Sequence, residues 1–187
     1  MKLLLLSIVF FFSALSLQAK TVDGYMITKS NDTVKCQINV NGLDLFDKVT
    51  IVDSSGKKTK YRADELGING FGFTYENNKY DYVLINNEDS HWSFMIRTVK
   101  GKRFNLFYSF EFVSTYRGAS YRSDSYMIQD TDMRVVTVSG GIFNPLKKKI
   151  KKYLGSDTAM IDLLDRMVDK VTDVPKFVKA ANEMYVH

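Results

Sequence analysis

At 187 residues and 45% hydrophobic content, the chain is long and apolar enough for a domain with its own core, which excludes a disordered tail or linker. Its 26 basic and 21 acidic residues give a net charge of +5, too mild a bias to mark a nucleic-acid binder. A single cysteine excludes an internal disulfide.

The chain opens "MKLLLLSIVFFFSALSLQAK". Lys2 precedes an apolar run that closes on small residues, the layout of a secretory signal peptide cut after Ala19. The run is shorter than the roughly 20 residues of a membrane span. Residues 20–187 are therefore expected to form one exported domain, periplasmic or secreted.

From Gly24 to about Ser139 the chain reads as successive hairpins. "GYMITK" and "TVKCQINV" flank "SND"; "KVTIVD" and "KTKYR" flank "SSGK". In the second of these runs Val34, Cys36, Ile38 and Val40 alternate with polar residues, which predicts Cys36 on a buried strand face. "FGFTYENNKYDYVLI" predicts a two-residue turn at Asn77-Asn78, pairing Tyr75 with Tyr80, Phe73 with Tyr82 and Phe71 with Leu84. Gly70 and Gly72 then fall on the opposite face, where they leave room for a close neighbour; no helix follows to make them a phosphate loop. "HWSFMIRT" and "KRFNLFYSF" predict a three-residue loop, Val99-Lys100-Gly101. It sets Ile96 opposite Phe104 and Phe94 opposite Leu106, with Gly101 left-handed.

"TYRGASYRSDSY" follows an apolar strand and precedes another, and reads as a long hairpin tip. Its Tyr116, Arg117, Tyr121 and Arg122 are candidate binding residues. Tyrosine offers rigid amphipathic area and arginine a planar donor fork.

Beyond residue 140 the period changes to helical. Asn144 and Pro145 predict a helix start and Gly155 its end, with Leu146, Ile150, Tyr153 and Leu154 on one face. Lys147, Lys148, Lys149, Lys151 and Lys152 occupy the other, either a solvated face or a surface for anionic partners. A second helix is predicted from Ser156-Asp157 and a third from Asp173, with stripes running through Met160, Leu163, Leu164 and Met167, then Phe177, Val178, Ala181, Met184 and Tyr185.

"GYMITKSNDTVKCQI", "VKGKRFNLFYSF", "KKKIKKYLGSD" and "NEMY" together resemble uncharacterised exported β-rich proteins of Bacteroidetes-type bacteria. The resemblance implies export and a β-rich fold. It implies no activity for any residue.

Chemistry is sparse. His187 is terminal, and His91 opens a strand with no G-x-S-x-G elbow elsewhere. Asp162, Asp165 and Asp169 share a helical face, and "DTD" at 130–132 lacks the oxygen spacing of a calcium loop. No catalytic residue, metal ligand or cofactor is assigned.

The expected fold is α+β: a mainly antiparallel sheet of about eight to ten strands, curled into a roll, barrel or sandwich, followed by three short helices packed on it. The expected function is a non-catalytic exported module that binds an envelope component or another protein. An enzyme on an envelope polymer, such as a glycan hydrolase, and a carrier of small apolar ligands are the alternatives. No specific nucleic-acid partner is expected; weak attraction to anionic surfaces is.

Overall fold

The computed structural model describes residues 20–41, 46–86, 91–114, 120–139 and 145–185. The leader, Tyr116, Arg117, Asn144 and His187 lie outside the described residues. Ten strands come first: β1 (Thr21–Ile27), β2 (Thr33–Asn39), β3 (Lys48–Val52), β4 (Lys58–Arg62), β5 (Gly70–Tyr75), β6 (Asn78–Asn86), β7 (Trp92–Val99), β8 (Phe104–Ser114), β9 (Ser120–Asp130) and β10 (Val135–Ser139). Three helices follow: α1 (Leu146–Leu154), α2 (Thr158–Met167) and α3 (Val174–Glu183). The fold is α+β. Among the described residues, no helix is long and apolar enough to cross a membrane.

The strands form one antiparallel sheet in the order β10-β9-β8-β7-β6-β5-β1-β2-β3-β4. Two meanders, β1–β4 and β5–β10, share one strand ladder, the seam where β1 pairs with β5 (Gly24 opposite Phe73, Met26 opposite Phe71). The sheet is open, with β4 and β10 at its edges. It is also curled. The Phe94 amide donates to the Phe46 carbonyl (2.6 Å), and Phe46 packs edge-on against Phe110, so the segment entering β3 closes over β7.

Side-chain alternation gives the sheet two faces. The inner face carries two cores. Ile38, Val49, Ile51, Phe71, Phe73, Tyr82 and Phe94 fill the curl. Phe104, Leu106, Ile128, Val136 and Val138 meet the helices through Ile150, Leu164, Phe177 and Val178. Each fully buried aliphatic or aromatic side chain here contributes roughly 1.5–3 kcal/mol. A smaller outer-face cluster holds Ile85, Met95, Phe107 and Met127.

Local signals mark several of the helix ends. The Asp157 carboxylate accepts from the Met160 amide at the head of α2 (3.1 Å), Pro175 sits in the first turn of α3, and Gly155 ends α1 with φ +67. Met184, expected on the buried stripe of α3, is exposed because it falls past the last helical turn.

Two registers differ from the expectation. The β5–β6 turn is Glu76-Asn77, not Asn77-Asn78; both residues have positive φ (49 and 64), and Phe73 faces Tyr80 while Phe71 faces Tyr82. Ring stacking selects this register: Phe71 on Tyr82 at 4.6 Å and Phe73 on Tyr80 at 5.1 Å between centroids. The β7–β8 pairing is offset further, with Ile96 opposite Tyr108 and a bulge between Arg97 and Val99. Gly101 is not left-handed there. It lies against Asn182 of α3, where a Cβ would collide with the amide group. Both shifts are even, so the apolar face predicted for each hairpin is kept.

Candidate functional site

A trough of about 890 Å3 lies on the outer face, running across β2 and β1 to the β5–β6 hairpin, with the β3–β4 turn as one bank. Its size is in the range of ligand sites, and it is open rather than enclosed. Its origin is local. β2 pairs with β1 along its whole length, from Thr33 to Asn39. It pairs with β3 only at Gln37 and Ile38, because β3 ends at Val52 and the chain turns away.

The floor depends on glycine. A Cβ on Gly24 would collide with the Gly72 carbonyl oxygen, and one on Gly72 with the Tyr25 hydroxyl. The seam strands approach closely there, and the Tyr25 ring lies over the space left by Gly72. Tyr25 donates to Asp81 (3.1 Å), which also accepts two bonds from Arg97 (3.0 and 2.5 Å). Burial, then the neighbouring Asp81 charge, pushes the Tyr25 hydroxyl pKa up, so it stays a neutral donor.

The charges around the trough are unequal in freedom. Asp23 accepts from Gln37 (3.3 Å). Asp53 accepts from the Ser55 hydroxyl (2.6 Å) and amide and from the Lys57 amide, and these bonds hold its carboxyl below the usual range. Lys35 and Lys79 are exposed, and among the described residues neither has an acidic partner. Lys58 and Lys60 extend the cationic outer face onto β4.

Cys36 is half-buried, and burial pushes its thiol pKa up, which suppresses the nucleophilic thiolate. His91 lies in a different pocket, with Asp47, Arg62, Asp64 and Trp92. The two cavities share no lining residue. Among the described residues no group of three or more histidine, cysteine or acidic side chains could hold a metal ion.

The residues singled out in the sequence are dispersed. Tyr121 and Arg122 belong to β9 rather than to a hairpin tip, and as strand neighbours they point to opposite faces. Tyr121 is 55% exposed. Arg122 is engaged: it donates to Asp124 (2.8 Å) and to the Tyr108 hydroxyl, and its guanidinium lies 4.2 Å over the Phe110 ring. On α1, Lys147 bonds Asp169 (3.1 Å) and the Asp165 carbonyl, Lys151 bonds Asp165 (2.7 Å), and Lys149 reaches the Thr137 carbonyl of edge strand β10 (2.8 Å). Lys148 and Lys152 stay exposed. Much of the lysine run thus fastens α1 to α2 and β10.

The sequence does not mark the trough as a site. Alternation does place Lys35 and Gln37 on the polar face of their strand. Nothing local brings them beside Thr74 and Lys79, because β1 and β5 are far apart in the chain.

No protein-family model, curated protein or solved structure matches this chain.

Proposed function

We propose that the protein is an exported, non-catalytic module that binds an envelope component or another protein through the outer-face trough. The observation that carries this reading is the trough itself: broad and open, with two lysines that have no acidic partner among the described residues and with acids already committed to their own neighbours. Such a surface can recognise without transforming. The leader-like opening segment and the resemblance to exported β-rich proteins support the location. A glycan hydrolase needs one carboxyl kept protonated to act as an acid. Of the two carboxylates lining the trough, Asp53 is driven the opposite way. A carrier of apolar ligands needs an enclosed interior, and this sheet has two open edges with aromatic rings filling its curl.

The test is capture from a solubilised envelope fraction by the immobilised protein. Lys35→Glu with Lys79→Glu should lose the captured component, whereas Lys148→Glu with Lys152→Glu should keep it. Equal capture by both variants would remove the trough from the function.

A further inference from the structure

We propose that the trough receives an extended acidic peptide segment, which adds as a strand to the free edge of β2. The inference rests on the binding-module reading and names the class of partner.

Strand pairing carries the first part. From Thr33 to Cys36, β2 has β1 on one side and, among the described residues, no strand on the other. Alternate residues of a strand direct their N–H and C=O groups to each side, so this stretch presents main-chain donors and acceptors along the trough. The opposite bank, Asp53 to Gly56, is a turn held by its own bonds to Asp53 and offers no competing strand.

Charge carries the second part. Lys35 stands on the free stretch itself, where an added strand would lie beside it; Lys79 is on the far side of β1 and β5 and adds only longer-range attraction. A second copy of this edge would set Lys35 against cations, which disfavours self-pairing. An acidic strand is drawn to Lys35, and the Asp53 carboxylate on the opposite bank is turned to the Ser55 hydroxyl and to the Ser55 and Lys57 amides. Val34, on the inner side of the same stretch, is 40% exposed. A strand with acids at every second position would place them beside Lys35 and its intervening apolar residues beside Val34.

The test uses the protein expressed from Met1 and purified, with two pools of ten-residue peptides. One pool has Glu or Asp fixed at every second position and the other has Lys there; the remaining positions are randomised. The acidic pool should be enriched about tenfold or more over the basic one, and Lys35→Glu with Lys79→Glu should abolish that preference. A selected peptide should shift the amide resonances of Thr33 to Cys36, and N-methylation of its alternate amides should eliminate binding. Binding that survives N-methylation, shifts confined to other strands, or no enrichment would overturn the proposal. So would polygalacturonate binding at the trough while both pools fail, which would assign the site to an anionic glycan. If the pools fail but envelope capture still depends on Lys35 and Lys79, the binding module stands and the added strand does not.

Discussion

Asn182 ties α3 to a loop almost eighty positions away. Its side-chain oxygen accepts from the Arg103 and Phe104 amides (3.1 and 2.9 Å), and its nitrogen donates to the Phe104 carbonyl (2.9 Å). Three partly buried backbone groups lose their partner if the amide is removed. Asn182→Ala should therefore cost about 2–3 kcal/mol, read as a lowered urea midpoint. Asn182→Asp keeps the acceptor and loses the donor, so it should fall between the alanine variant and the wild type. An unchanged midpoint for the alanine variant would show that the loop holds itself. Cys36 illustrates a subtler residue-scale outcome. Alternation put it on the inner face, where it does pack against the core beside Ile38. It is only half-buried because β3 has already left its flank.

At the scale of elements, what could be read from the sequence depended on whether the deciding contact was local. The helices were legible because Asp157, Pro175 and Gly155 act within one turn. Hairpin existence was legible too. The registers were not. Glu76 adopts a left-handed conformation that asparagine would take more readily, because the Phe71–Tyr82 and Phe73–Tyr80 stacks favour that pairing. The β7–β8 loop is set by Asn182, which no local pattern could reveal. The α2 cap yields a prediction with a definite sign. Partial burial alone would raise the Asp157 pKa, but the Met160 amide, the Tyr185 hydroxyl and Arg103 outweigh it and hold the carboxyl below the ordinary range. Two amides, those of Lys170 and Asp169, lower Asp173 in the same direction. Groups with depressed folded pKa values contribute stability above the unfolded value of about 4 and lose it as pH falls through the folded one. Stability should therefore drop as the solution is acidified below about pH 4. Asp157→Asn should cost about 1–2 kcal/mol at pH 7 and show a shallower acid loss. Parallel acid profiles for the two proteins would sink this account.

At the scale of the whole molecule, the class of fold was legible in hairpin spacing followed by helical period, whereas the site was not. The Tyr-Arg pairs drew notice as a motif, yet the trough is assembled from strands that meet only through the β1–β5 seam. Export is expected to leave Lys20, one residue before β1, at the new terminus; N-terminal sequencing of the purified protein checks this, and an intact Met1 on the mature product would refute it. The seam has a kinetic meaning as well. Every other pairing joins strands that are neighbours in the chain, so the two meanders can each form with short loop closures, and their union comes at larger entropic cost. They are candidates for units that part locally at β1–β5, although both contribute to the core that fills the curl and the Phe46–Phe94 bond also links them. Native-state hydrogen exchange should then show seam amides, such as those of Met26 and Phe71, exchanging through a smaller opening than amides in the middle of β8–β9 pairing. A molecule reaching from Lys35 to Lys79 would touch both units at once. It would slow seam exchange most, acting as a clasp between halves that the chain itself joins at only one ladder.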